Sequence, residues 1–354
     1  MDIQIANHTI GENHPAYFIA DISANHDGDL ERALMLIHLA QEAGADAAKF
    51  QNFRAPHIVS DYGFKSMGGQ LSHQSSWKKS VFDVYADASI PFDWTPVLKE
   101  ACDQIGIDYF SSPYDFEAVD MLDPVVPAHK IGSGDITWLE MLEHIARKGK
   151  PVILATGASD IGDVQRAVRT ILAINPQLVL MQCNTNYTAS LENLDHIHLR
   201  VLNTYHTMFP ELVLGLSDHT PGHATVLGAV TLGARVIEKH FTDDNDRVGP
   251  DHKFAMNPRT WAEMVENTRL LERALGSPDK FVAENEKDTV IVQRRCLRAV
   301  RDIRAGETLS REMIDVLRPA TPGAIMPFEI EAVIGASAVR DISAGKELRW
   351  TDVY

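Results

Sequence analysis

AYFIADISANHDGDLERALMLIHLAQEAGADAAKFQNF, residues 16–53, sets two short apolar strand segments (16–23 and 46–53) around one amphipathic helix. Between the strands, Leu30, Ala33, Leu34, Ile37 and Ala40 recur at steps of three and four, which gathers them on one helical face, and Gly44 follows as a C-terminal stop. The unit then recurs along the chain. Further strand segments read at 108–113, 128–134, 151–157, 178–183, 212–218 and 235–241, each followed by a stretch of helical period, and Gly106, Gly149, Gly233 and Gly276 close several of those helices. Eight strand–helix units over about 260 residues have the count and length of a (β/α)8 TIM barrel. An open doubly wound sheet would call for a glycine-rich phosphate turn after the first strand, and ISANHDGDL (22–30) lacks the form G-x-G-x-x-G. One connection is long for a compact domain: 54–93, containing FKSMGGQLSHQSSWKKS (64–80), reads as a functional lid or an excursion.

The tail is built differently. VRDIRAGETL (300–309) and VRDISAGKEL (339–348) share seven of ten positions, each with an Ala-Gly turn between short alternating stretches. A repeated hairpin-like unit marks a small β-rich accessory domain. The expected division is a catalytic barrel at 1–280, a linker at 281–294 and the accessory domain at 295–354.

A chain of 354 residues exceeds the size at which a single core stops growing. A net charge of −16 opposes approach to nucleic acid or to an anionic membrane, although a local cluster of Lys and Arg can still receive a small anion. Cys102, Cys183 and Cys296 are scattered and odd in number, the start of the chain has no apolar leader, and no run of about 18 apolar residues occurs. The expectation is a soluble, cytoplasmic protein with neither nucleic acid nor membrane as partner.

In a TIM barrel, reactive groups collect at the C-terminal ends of the strands. His219 and His240 end the seventh and eighth strands, a pattern suited to a divalent metal that keeps open positions; spacing alone leaves manganese, cobalt, zinc and iron open. Lys49 and Lys130, with the hydroxyls of Ser112, Ser133 and Ser217, point into one mouth. No acid is obvious beside either lysine in the sequence, so an anion bearing phosphate and carboxylate would neutralise them. Asp27, Asp135, Glu238 and Asp251 supply acids, one of them a candidate general acid or base. Ser217, Asp218 and His219 cannot form a triad, because consecutive strand side chains alternate in direction.

ANHDGDLERAL (24–34), AKFQNF (48–53), SSPYDFEAVDML (111–122), HKIGSGDI (129–136), KPVILATGAS (150–159), GLSDHTPGH (215–223), GARVIEKHFT (233–242) and RVGPDHKFAM (247–256) together resemble the sialic acid synthase family. The resemblance runs from about residue 15 to 350, in order, at every strand end. Its members join phosphoenolpyruvate to a six-carbon N-acylated amino sugar, giving nine-carbon keto acids such as N-acetylneuraminic, pseudaminic and legionaminic acids. It implies an antifreeze-like (SAF) C-terminal domain that caps the barrel of the partner chain in a domain-swapped homodimer. By position, His219 and His240 would hold the metal, manganese (Mn2+) first, with Co2+ or Mg2+ as alternatives. Lys49, Ser112, Lys130, Ser133 and Ser217 would hold phosphoenolpyruvate. Gln51, Asp135, Tyr187, Asp251 and the partner's copy of Arg318 would face the sugar, with Asn184 or Thr185 beside them, and Asp27 and Glu238 would be the catalytic acids.

Three positions depart from the family pattern: Asp27 replaces a common Glu, Ala155 lacks a hydroxyl, and CNTNYT (183–188) replaces C-T-x-x-Y-P. They point to an altered or doubly substituted nitrogen on the sugar. Two other readings stay open, another phosphoenolpyruvate-condensing barrel and a non-catalytic carbohydrate-binding protein.

Overall fold

Two three-residue strands precede the barrel. β1 (Ile3–Ile5) and β2 (His8–Ile10) pair antiparallel around a turn with Ala6 at φ 47°, and they send Ile3, Ile5 and Ile10 against Tyr17, Ile19, Phe110 and Val236 in the barrel interior. The computed structural model describes residues 2–71, 74, 75 and 77–354. β3 (Tyr17–Asp21), β4 (Ala47–Asn52), β5 (Asp108–Pro113), β6 (His129–Ile131), β7 (Val152–Ala155), β8 (Leu178–Cys183), β9 (Val213–Asp218) and β10 (Ala234–His240) form one parallel sheet. Its order is β5-β4-β3-β10-β9-β8-β7-β6, and β5 and β6, at its two ends, are neighbours in space. The sheet is therefore a (β/α)8 barrel closed except for one seam without strand pairing.

The helices outside it bury the faces their periodicity marks. Leu30–Glu42 starts at Asp29, whose side chain accepts from the backbone N–H groups of Glu31 and Arg32, and it buries Ala33, Leu36, Ile37 and Ala40. Two segments differ from expectation. LDHIHLRVLNTY (194–205), whose apolar spacing predicts a single helix, is instead covered by a 3-10 turn (Leu191–His196) and a helix that begins only at Val201. The cause is tertiary: the Gln182 amide donates to Ile197 O (2.9 Å) and the Asn184 amide to His196 O (3.1 Å), which ties the segment back to the end of β8. Among its described residues the long connection carries the short helices Ala55–Ile58, Asp61–Ser66 and Val81–Ala88; Ser72, His73 and Ser76 lie outside the described residues.

The chain divides into two units, Met1–Gly276 and Ser277–Tyr354. The segment read as a linker carries a helix (Lys287–Gln293) and groups with the second unit. That unit has its own core, including Leu297, Ile303, Leu309, Ile325, Ile342 and Leu348, and one antiparallel pair, β11 (Cys296–Ala299) with β12 (Ile314–Leu317). The two sequence copies are not separate hairpins; they pair with each other. Ile303 and Ile342 exchange two backbone hydrogen bonds of 2.8 Å. Asp341 accepts from the Ala305 N–H and Asp302 from the Ala344 N–H, each at 2.8 Å. Gly306 and Gly345 take φ of 81° and 80° at equivalent turns. Each copy thus caps the other's turn, which is why the Asp and the Ala-Gly recur together.

Candidate active site

Strand alternation builds the site. Ile19, Ala47, Phe110, Ala128, Met181 and Val236 fill the barrel, so inward positions two further along belong to Asp21, Lys49, Ser112, Lys130, Cys183 and Glu238, with Gln51, Ser217 and His240 on the same parity. The register agrees: Asp21 lies opposite Lys49 and His240, and Ser217 opposite both Glu238 and Cys183.

The lysines have acidic partners within the barrel, contrary to the reading that only a ligand could neutralise them. Lys49 Nζ lies 2.6 Å from Asp21 Oδ2 and 3.7 Å from Glu238 Oε2, while Lys130 Nζ lies 3.4 Å from Glu238 Oε1. Ser217 Oγ donates to Glu238 Oε1 at 3.1 Å. Burial alone would raise the Glu238 pKa, but Lys130 and Lys49 hold it down at about 2. Burial would likewise lower Lys49, and Asp21 and Glu238 more than reverse that. The next residues along face outward: Lys239 donates to Asp218, which also accepts from Thr220 and Thr225, a buried structural cluster outside the mouth.

His219 and His240 stand with ring centroids 5.3 Å apart. His219 Nδ1 is 2.8 Å from Asn184 O; a carbonyl only accepts, so Nδ1 carries the proton and Nε2 presents its lone pair. Burial, then the neighbouring His240, lowers the His219 pKa to about 4, so the ring is neutral at pH 7. Close by, His240 Nδ1, Asp21 Oδ1 and Glu238 Oε2 are buried without a hydrogen-bond partner. Imidazole nitrogens, with carboxylate oxygens that receive no hydrogen bond, are a donor set that fits a divalent cation. No three His, Cys, Asp or Glu side chains among the described residues form a preformed cage. The fit is to an ion held by two imidazoles, with its other positions left to water or substrate.

The remaining predicted residues sort around this centre. Asp251 Oδ2 accepts from Ser23 Oγ at 2.7 Å and lies 3.7 Å from His240 Nδ1. The Tyr187 ring is 4.3 Å from His219 and 6.1 Å from His240. Ser133 Oγ accepts from Gly157 N at 2.9 Å, and a Cβ on Gly157 would sit 2.5 Å from Thr185 and 3.1 Å from Cys183 Sγ, so these residues form one close-packed wall. The Asn184 side chain is committed to its own loop, donating to His196 O and accepting from Asn186 N, and only its carbonyl turns to His219. Asp135 is raised to about 6 by burial against the pull of Lys130. Asp27 joins a separate group, with Arg247, Arg32 and His252. Arg318 belongs to the second unit, where its Nε donates to Gln293 O at 2.6 Å.

Asp21 escaped the sequence reading because only residues after the first strand were considered; counting by two from Ile19 finds it. Phe254, whose ring is 5.0 Å from His240, and Tyr85 and Tyr114, each 5.6 Å from Phe53, had no sequence signal beyond aromaticity.

Residues 36–280 match the NeuB family and residues 294–353 the SAF domain. The N,N'-diacetyllegionaminic acid synthase of Legionella pneumophila is 34% identical, over 97% of this chain and 96% of its own length. The human N-acetylneuraminate-9-phosphate synthase is 32% identical, over 92% of this chain and 89% of its own. The crystal structure of the spore coat polysaccharide biosynthesis protein SpsE of Bacillus subtilis superposes with a TM-score of 0.66 at 34% identity, covering 100% of this chain and 99% of that one. No helix among the described residues is long and apolar enough to cross a membrane.

Proposed function

The chain belongs to the NeuB family and carries a SAF domain, and from that premise we propose that it condenses phosphoenolpyruvate with an N-acylated hexosamine to give a sialic-acid-type nonulosonic acid and phosphate. The observation that carries this reading is the pairing of two buried ammonium groups, Lys49 and Lys130, with the His219–His240 pair on one inner rim.

Lys49 and Lys130 would exchange part of their carboxylate contact for the phosphate and carboxylate of the donor, with Ser112, Ser133 and Ser217 offering hydroxyl hydrogen bonds. Glu238, ionised and fixed by Ser217, keeps both ammonium groups directed at the cleft. Gln51, Asp135, Tyr187, Thr185 and Asp251 would orient the sugar. A divalent cation, Mn2+ in this reading, would be held by His219 and His240 and would polarise the open-chain aldehyde. C3 of phosphoenolpyruvate forms the new bond to the aldehyde carbon, whose oxygen becomes a hydroxyl on taking a proton. C2 becomes an oxocarbenium and water adds there, giving up one proton to balance that taken by the new hydroxyl; the C2 hydroxyl then loses its remaining proton to the departing phosphate as C2=O forms and the C2–O bond to phosphate breaks. Arg318 of a second copy would complete the sugar site in an exchanged homodimer. The hydroxyl-free Ala155 favours an acceptor with a second N-acyl group.

The test is phosphate release with product mass, using phosphoenolpyruvate, Mn2+ and a panel of N-acyl and di-N-acyl hexoses. One sugar should give phosphate and a nine-carbon keto acid in equal amounts, and His219→Ala should abolish turnover with an unchanged melting curve. No phosphate from any sugar, with wild-type protein shown to bind both donor and metal, would overturn the reading in favour of a binding protein.

A further inference from the structure

We infer that in this chain Asp27 is not a sugar contact but a positioning residue, a clamp that sets Asp251 against His240; the inference rests on the reading of this site as a condensing centre. An ionised carboxylate has about four acceptor sites, and three of those of Asp27 face donors of its own chain. Its Oδ2 accepts from Arg247 Nε (3.0 Å) and Nη2 (2.8 Å) and lies 3.1 Å from Arg32 Nε. Its Oδ1 faces His252 Nε2 at 3.0 Å. Oδ2 is saturated by Arg247 and Oδ1 is turned to His252, so the carboxylate is engaged by cations and donors of its own chain rather than directed at a ligand. The group is held ionised, since hydrogen bonds from His252 and Arg247 outweigh the burial that would raise it.

The partners show what the clamp holds. Arg247 and His252 belong to the segment that follows β10, and Arg32 also grips Asp243 at the start of that segment through Nη1 (2.9 Å) and Nη2 (2.5 Å). His252 is fully buried, with Nδ1 2.8 Å from Thr242 Oγ1 and its carbonyl accepting from the Asn245 amide at 2.8 Å. Gly249 closes over this contact: a Cβ there would meet His252 Cδ2 at 2.6 Å and Asp27 Oδ1 at 3.6 Å. His252 directly follows Asp251, so fixing its ring fixes the carboxylate that accepts from Ser23 and lies 3.7 Å from His240. The shorter Asp suits this work, because its carboxyl meets His252 and Arg247 beside the backbone rather than reaching into the cleft.

The experiment compares Asp27→Asn, Arg247→Ala and the double variant. Arg247 is 40% exposed, so its truncation keeps the test open where Asp27→Asn fails to fold. Each single variant should raise KM for the sugar by about ten- to a hundredfold, the size expected of a misplaced positioning group, with KM for phosphoenolpyruvate unchanged. The double variant should be no worse than the poorer single one, because both changes open the same clamp. A direct sugar contact predicts the opposite: Arg247→Ala near wild type, and losses that add in the double variant. Hydrogen exchange over residues 242–256 is the second readout and needs no turnover. Faster exchange in both singles supports the clamp even if the wild type condenses nothing, in which case only the proposed reaction fails; unchanged protection overturns the clamp whatever the activity.

Discussion

Asp135 shows how a residue's surroundings become measurable. Burial raises it to about 6 despite Lys130, whereas in the unfolded chain it titrates near the ordinary value of about 3.9. Between these values the folded protein holds a proton that the unfolded chain has released, so stability falls as pH rises through that window and stays lower above it. Asp135→Asn removes the ionisation, and urea melts should show a gain of roughly 1–3 kcal/mol at pH 7.5 and little or none at pH 4. An equal gain at both pH values would show that burial of the charge is not the cause. Glu238 contrasts with it, an acid more deeply buried yet held at about 2 because two ammonium groups face it. Which of two buried acids keeps its proton is decided by partners on other strands, and the residue types alone do not reveal that.

Gly215 makes the same point for an element. It lies inside the barrel on β9, where the pairing with β10 shifts register between Ala234 and Val236. A Cβ there would stand 2.7 Å from the Val236 carbonyl oxygen and 3.0 Å from Met181 Cγ. Met181 can adjust but the backbone of β10 cannot, so Gly215→Ala should cost about 1–3 kcal/mol, the usual range for an overfilled core. A denaturant midpoint equal to that of the wild type would count against the constraint. Elements of this kind divide by how much pattern they carry. The eight barrel strands and most helices were legible because apolar runs alternate regularly with stretches of helical period, and the rim residues Lys49, Lys130, Ser217, Glu238 and His240 followed from their place near the strand ends. The β1–β2 hairpin was not, since IQI and HTI show too few alternations to stand out. The helix read across 194–205 failed for another reason: side chains of Gln182 and Asn184 compete for its backbone carbonyls, a tertiary effect that local periodicity does not record. The tail repeat announced its turns but not that its copies cap each other.

The whole molecule joins two units with separate cores, and the proposed reaction draws on both, His219 from the first and Arg318 from the second. If the second unit serves the barrel of another copy, the two residues of one working site come from different chains. His219→Ala and Arg318→Ala are then each inactive or nearly so alone. When they are mixed, unfolded together and refolded, half of the dimers are hybrids, and each hybrid has one site with both residues intact and one with neither. Recovery should approach about a quarter of wild-type activity, the fraction fixed by random pairing in a two-fold dimer. If Arg318 serves its own barrel, every site in the mixture lacks one residue and nothing returns. Differently tagged chains purified as hybrids sharpen the contrast, with about half the activity expected for exchange and none for a self-contained chain. Hybrids that form and stay inactive would restrict the site to one copy, and the second unit's part in the reaction would have to be sought within its own chain.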